Sequence, residues 1–393
     1  MRTVLFYSGV ESFNYYTDQL FEELTRRQHE IFILDLRNPE PEDPHSYVHF
    51  EQFLKQPVDL AVCYDSFGFK NDAFIDLWNE QGTVLANIMV DHPLRFHPTM
   101  SRHPDRYVQF CVDRNHVAYV KKYFADEVGH VEFMPHAGSC QKQERNIPFS
   151  ERKYDILFSG TYYRPQDELA KINQWYPEGS AMDQFYHCMA EYMLSNSSLP
   201  AEQAALDTIS RLNMQVSGQT LKTIFRCSEP LDWMARMYHR GRVIQTLAES
   251  GMELWLLGRG WENHPSAGLS NVHRIDDRIP FADTMPYIED AKVCINVMPW
   301  FKSGSHERIL NILLHHSLPL TDYSSWVDEN FKADEEVVFY DLDHLEKLPE
   351  IVKGLLSDEE RTTAIIQKGY EKVLKHHTWV NRVDQILKAV QEV

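Results

Sequence analysis

Positive charge is what this chain has least of. Over 393 residues there are 39 Lys and Arg against 58 Asp and Glu, a formal net charge of −19. A broad nucleic-acid or anionic-membrane surface needs the opposite balance, so neither is expected as a partner; a local basic pocket for a phosphorylated small molecule stays open. Paired cysteines are missing too. Cys63, Cys111, Cys140, Cys188, Cys227 and Cys294 form no C-x-x-C, and several sit inside apolar runs. They read as buried free thiols in a reducing compartment. No apolar run approaches the roughly 20 residues of a membrane span, and the opening MRTVLFYSGV has too short an apolar stretch for a signal peptide. A soluble cytoplasmic protein is expected. Tandem repeats, low-complexity tracts and charge blocks are absent. Neither H-E-x-x-H nor a Cys/His zinc spacing occurs, and the pairs His315–His316 and His376–His377 project from different helix faces, so no metal is expected.

What the chain does have is apolar content, 43% of residues, with 12% aromatic. That is enough for a sizeable core and argues against disorder. The length exceeds what one core usually serves, about 250–300 residues, so two domains are expected.

Short apolar runs recur along the first 140 residues: TVLFYSG, EIFILDL, VDLAVCYDS, GTVLANIMVD, RYVQFCVD and HVEFMPHAG. Between them lie helical patterns such as Asn14 to Arg27, with Tyr16, Leu20, Phe21 and Leu24 on one face. Nearly continuous apolar strands separated by helices predict a parallel sheet covered on both sides, hence a doubly wound α/β domain over residues 1–145. The charged stretch QKQERNIPFSERK, 141–153, reads as a linker. A second series follows: YDILFSG, MELWLLGRG, VHRI, KVCINVMP, LPLTDY and EVVFYD. It predicts a second such domain, 152–378, with a helical insertion at about 165–250. The end, WVNRVDQILKAVQEV, is amphipathic, with Val380, Val383, Ile386, Leu387 and Val390 on its apolar side.

Ligands of parallel α/β sheets bind outside the carboxyl ends of the strands, and a cleft between two such domains is the natural site. At one strand end KVCINVMPW runs through Ser303-Gly304-Ser305-His306 into the helix ERILNILLHHS, with Ile309, Leu310, Leu313 and Leu314 on its apolar side. Free amides at Ser303 to Ser305, the helix dipole and Arg308 one turn in make an anion site; a serine cap on a surface helix is the plainer reading of the same residues. In the first domain Asp91-His92-Pro93 ends a strand. A carboxylate beside an imidazole suits a general base or an orienting pair, and a capped turn is the alternative. Asp65, Asp113 and His136 are lesser candidates at similar ends.

The segments YDILFSGTYYRP, LWLLGRGWE, IPFADTMPYIEDAKVCINVMP, RILNILLHHSLPLTDY and HHTWVNRVDQIL, in this order and spacing, resemble the C-terminal domain of GT-B glycosyltransferases, especially the CgeB-like, spore-maturation branch. The resemblance spans about Tyr154 to Val383, and the first half looks like the companion acceptor domain. It implies two Rossmann-like domains facing across a cleft, with the helix 379–393 crossing back to the N-terminal domain. It implies a metal-independent transferase that uses a nucleotide-diphosphate sugar, UDP-sugar foremost, as co-substrate without other cofactor. The acceptor would be a glycan, a protein or a small molecule. It places Gly160 and Thr161 near the diphosphate or donor sugar, Arg259 near base and phosphates, and backbone groups of 275–279 at the base. Apart from the resemblance, the extra surface of the helical insertion is a candidate for contact with the acceptor and for self-association. The chain departs from the pattern at two positions where many retaining relatives carry glutamates: here they are Ser303 and Asn311. Asn311 can still bond a ribose hydroxyl. Ser317 replaces a glycine of the family. A GT-B-fold sugar-nucleotide epimerase and a degenerate, non-catalytic sugar-nucleotide binder remain alternatives.

Overall fold

The computed structural model describes residues 1–140, 145–275, 278–299 and 301–393. The chain divides into two compact units: Met1–Ser139 together with Leu374–Val393, and Cys140–Val373.

Unit 1 holds one sheet of six parallel strands: β1 (Arg2–Tyr7), β2 (Glu30–Asp35), β3 (Leu60–Tyr64), β4 (Val84–Met89), β5 (Tyr107–Cys111) and β6 (Val131–Phe133). Their spatial order is β2-β1-β3-β4-β5-β6. Every residue of β3, β4 and β5 is buried. Helices on both faces explain why these strands read as unbroken apolar runs. The helix Glu11–Arg26 buries Phe13, Tyr16, Thr17, Leu20, Glu23 and Leu24. Phe21, grouped with that face by its spacing, is 38% exposed; the buried stripe runs through Phe13 and Thr17 instead.

The last helix, Trp379–Ala389, belongs to this unit. It buries Trp379, Val383, Ile386 and Ala389 and packs on the helix Glu11–Arg26. Trp379 Nε1 donates to Ser139 Oγ at 3.0 Å, and Arg382 Nε donates to the Pro135 carbonyl at 2.7 Å. Val380, expected on the apolar side, is 43% exposed.

Unit 2 repeats the architecture with β7 (Tyr154–Ser159), β8 (Leu254–Leu257), β9 (Val272–Arg274), β10 (Ala291–Asn296), β11 (Leu318–Asp322) and β12 (Val338–Tyr340), in the order β12-β11-β10-β7-β8-β9. All pairings are parallel. Between β7 and β8 the chain is helical, closing with the 21-residue helix Glu229–Glu249, whose Val243, Ile244, Leu247 and Ala248 join the main core. The expected linker is in part a component of this unit. Phe149 is buried in the core and Arg145 pairs with Glu289 at 2.8 Å; residues 141–144 lie outside the described residues.

Two further expectations are corrected. Cys140 and Cys188 are exposed, while all six cysteines are free thiols. The helix expected to run through His315–His316 is Glu307–Leu314. It stops because His316 takes a left-handed conformation, φ 56°, its ring 4.3 Å from that of Tyr370. The Ser317 hydroxyl then donates to the carbonyls of Ile288 and Ala291, which locks the entry to β11.

Candidate functional site

In unit 2 the chain leaves the first strand in one direction toward β8 and β9 and later returns on the other side through β10. The order reverses between β7 and β10, the point where doubly wound sheets bind ligands. β7 ends in Ser159 and Gly160; β10 ends in Asn296. Asn296 is held by its neighbours: its Nδ2 donates to Thr321 Oγ1 at 2.9 Å, and its carbonyl accepts from the Tyr340 hydroxyl at 2.8 Å. Arg308 Nη1 in turn donates to Asn296 Oδ1 at 3.1 Å. The guanidinium is thereby brought over the β7 end. A side chain on Gly160 would come within 3.3 Å of Arg308 Nη2, so the missing Cβ keeps that approach open.

A second guanidinium joins it from the insertion. Arg240, on the helix Glu229–Glu249, donates to the Thr161 carbonyl. Its guanidinium carbon and that of Arg308 each lie 5.5 Å from the centroid of the Phe158 ring. Arg240 is 6% exposed. Burial, then the charges of Arg308 and Arg236, push its pKa below the ordinary arginine value. Arg236, one turn earlier, is paired with Asp232 at 2.9 Å. Two like charges sharing one ring in low dielectric repel, and an anion between them would relieve that repulsion. Neither Arg236 nor Arg240 stands out in the sequence. Their only sign is the spacing of four in WMARMYHRGRV, which places both on one face of a helix.

The second wall of this strand end is a pair of glycines. Gly258 and Gly260 have φ of 133° and 84°, and a Cβ on Gly260 would lie 1.9 Å from the Tyr162 carbonyl oxygen. The 258–260 turn therefore lies directly against the 160–162 turn. Tyr162 N–H donates to the Arg259 carbonyl at 2.9 Å, and Trp261 Nε1 to the Gly160 carbonyl at 2.7 Å. The Arg259 side chain is exposed, and Trp261 is core. Residues 276 and 277 of the expected base-reading segment lie outside the described residues, as does Trp300.

The loop before Glu307–Leu314 differs in detail from expectation. Its cap is His306, not a serine: the Arg308 N–H donates to His306 Nδ1 at 3.2 Å, and the same nitrogen lies 2.9 Å from Glu307. The serines and Gly304 are fastened to the turn after β11. Gly304 carbonyl accepts from Ser324 Oγ, Ser303 Oγ from Ser325 Oγ at 3.3 Å, and Lys302 carbonyl from Ser325 N–H at 2.9 Å. Lys302 Nζ reaches Asp322 Oδ2 at 2.7 Å, whose other oxygen accepts from Met298 N–H. Ser305 Oγ is fully buried without a hydrogen-bond partner among the described residues, as are both ring nitrogens of His239. Burial and the charges of Lys302 and Arg242 bring that imidazole down to about 4, so it is neutral. Asn311 is 2% exposed and sits among the buried residues of its helix. A contact to a ribose would require movement there.

Unit 1 carries its polar cluster at the ends of β3 and β4. Asp65 and Ser66 are both left-handed, φ 42° and 66°, a costly pair for residues with a Cβ. Asp65 Oδ1 accepts from the Val90 N–H at 3.0 Å, and Ser66 N–H donates to Asn87 Oδ1 at 2.9 Å. Burial, then the charge of Asp91, push the Asp65 carboxyl up to about 8. Asp91 Oδ2 lies 3.0 Å from Arg95 Nη1. His92 is 3% exposed and caps the following turn, its Nδ1 accepting from Leu94 N–H at 3.0 Å, with its ring 4.5 Å from that of His116. Asp113 caps the helix Arg114–Tyr123, and the His136 carbonyl accepts from Arg382. Among the described residues, one trio suited to a cation is His130, Glu132 and Glu392, beside the amino end of β6.

Residues 239–388 match a family model described as glycosyl transferase-like. No curated protein matches the chain in sequence. Among solved structures, a glycosyltransferase from Rickettsia africae superposes with a TM-score of 0.56 at 9% identity, covering 100% of this chain and 98% of that one. The sucrose-phosphate synthase of Thermosynechococcus elongatus gives 0.54 at 10%, covering 100% and 99%. HepE of Anabaena, in complex with UDP, gives 0.50 at 9%, covering 100% of both. With its two six-stranded parallel sheets and their surrounding helices, this chain has the GT-B fold, and its residues 239–388 are similar to the glycosyl transferase-like family.

Proposed function

We propose that the protein is a glycosyltransferase that moves a sugar from a nucleotide-diphosphate donor, UDP-sugar foremost, to an acceptor hydroxyl. One observation carries this reading: Arg240 and Arg308 share the Phe158 ring at the carboxyl end of β7. The pair fits a diphosphate. The family match over 239–388 supports a transferase, and the UDP complex of the Anabaena neighbour supports the donor class.

In the reaction the bond between the sugar's anomeric carbon and the β-phosphate oxygen breaks while one to the acceptor oxygen forms. Charge then grows on the departing diphosphate. Arg308, Arg240 and the amides of Ser303 to Ser305 would stabilise it without reorganising, and Ser305 Oγ would gain the partner it lacks. The guanidiniums supply the positive charge, so the reading assigns no metal. The acceptor hydroxyl must lose a proton. We assign that step to Asp91, held by Arg95, and give His92 the role of fixing the turn that presents it.

Two titrations test this. Arg308→Ala should weaken UDP about ten- to a hundredfold, since a charge-assisted hydrogen bond contributes about 1.5–3 kcal/mol. Uridine, without phosphates, should hardly change. Equal losses for both ligands, or none, would refute the diphosphate site. Asp91→Asn should lower turnover about 10²–10⁴-fold with UDP affinity retained. Sugar-nucleotide isomerised in the absence of any acceptor would instead favour an epimerase.

A further inference from the structure

Unit 2 contains a cavity of about 510 Å³ beyond the carboxyl ends of β11 and β12, to one side of the arginine pair. Its volume falls within the range of small-molecule sites, about 300–1,000 Å³. One wall is aromatic: Tyr323, 52% exposed, stands with its ring 5.8 Å from that of Phe339. The rim is acidic, from Asp341 and Asp343 in the loop that follows β12. Ser197 and Ser198, between the insertion helices Ala181–Leu194 and Ala201–Arg211, add two hydroxyls from the far side. The floor is the ion pair of Lys302 with Asp322.

The chemistry of these walls narrows the occupant. Lys302 is already held by Asp322 Oδ2 and by the Tyr323 carbonyl at 3.2 Å, so its charge is spent within the protein. Lys347 and His344 are the other basic groups of the lining, set against the carboxylates of Asp341 and Asp343, and the His344 ring is itself 3.3 Å from Glu346. The balance disfavours an anion. An exposed phenol ring suits a flat apolar face, while carboxylates and serine hydroxyls suit several adjacent hydroxyl donors. A pyranose presents both, a C–H face and a rim of hydroxyls. We propose that this cavity is a saccharide subsite that holds a neutral sugar ring of the acceptor glycan. The proposal rests on the glycosyltransferase reading and adds an acceptor class to it. It also gives the insertion a role, since Ser197 and Ser198 belong to it. Lys302 and Asp322 link the subsite to the loop of Ser303 to Ser305, so a bound sugar would lie against the segment assigned to the diphosphate.

The test is saturation-transfer NMR on the full chain, with maltose, cellobiose, lactose and diacetylchitobiose, each with and without UDP. At least one disaccharide should show transfer, and Tyr323→Ala and Asp343→Asn should each weaken it tenfold or more. UDP affinity in the same samples should stay within twofold of the parent. Tyr323 and Asp343 lie at the surface, so both variants should fold, which circular dichroism checks. No transfer from any disaccharide, or transfer indifferent to both substitutions, overturns the subsite. So does binding of an oligolysine peptide that Asp343→Asn abolishes, which would give the cavity to a cationic ligand. If UDP binds and the sugars do not, the subsite falls and the donor reading stands; failure of UDP itself removes the donor reading.

Discussion

The two units use one architecture to hold opposite kinds of group, a neutral acid in one and paired cations in the other. In unit 1 the strand order reverses between β1 and β3, and there stands Asp65, a buried carboxyl raised to about 8. In unit 2 it reverses between β7 and β10, and there stand Arg308 and Arg240. In both cases the strands supply a rigid edge and the functional group comes from outside them. Asp65 sits in a strained two-residue turn, Arg308 on the following helix, and Arg240 on an inserted helix. The sheet determines where a functional group can be placed, and the connections determine its chemistry.

The sharpest way to break this contrast is to remove the positive side of it. Arg240→Ala combined with Arg308→Ala should lower UDP affinity by about a hundredfold or more, given two charge-assisted contacts. Asp65→Asn should leave that affinity unchanged. Calorimetric titration of both variants decides; equal effects would mean the two switch points are not chemically distinct.

Next in size is a backbone comparison. Gly260→Ala places a Cβ against the Tyr162 carbonyl oxygen, with φ 84°, and should destabilise unit 2 by more than about 3 kcal/mol. Gly82→Ala in unit 1 has φ 67° but nothing within 4 Å, so it should cost only about 1–2 kcal/mol. Urea denaturation would measure both. A similar loss at the two sites would mean that the 160–162 and 258–260 turns are not in contact.

Asp65 allows a pH test. Its pKa rises from 3.8 to about 8, so between those values the folded chain keeps a proton that the unfolded chain has released. The stabilisation is complete below pH 4 and is lost as pH rises through 8. Asp65→Asn should therefore match the parent at low pH, gain on it progressively above pH 4, and hold a constant advantage above pH 8. A constant difference across that window would remove the buried carboxyl from the account.

The smallest effect belongs to the surface. Arg27 pairs with Asp384 of the terminal helix, but Asp384 is 65% exposed. Asp384→Ala should cost about 0.2–1 kcal/mol and less in high salt. The buried contacts of Trp379 and Arg382 hold the helix instead, so a large loss would overturn that ranking.

All twelve strands were legible as apolar runs because parallel strands buried on both faces have little room for polar residues. Arg308 and the Ser303–Ser305 loop were marked by a short polar knot between a strand and a helix, of which a plain cap was the commoner reading, and Gly160 was named through the family resemblance alone. The cap was misread: serine is the more frequent cap, but the helix begins at Glu307 as expected and the residue before it, His306, takes the position. Arg240 was invisible for a different reason. Its partner, the Thr161 carbonyl, lies 79 positions earlier, and no local period records a contact across an insertion. Periodicity, composition and turn residues thus determined the layers, the strands and one edge of the site, because those follow from burial along a short stretch of chain. The pairing of Arg240 with Arg308, the raised carboxyl of Asp65 and the cavity beside Tyr323 were decided by the tertiary structure, because each depends on distance and desolvation between segments far apart in sequence.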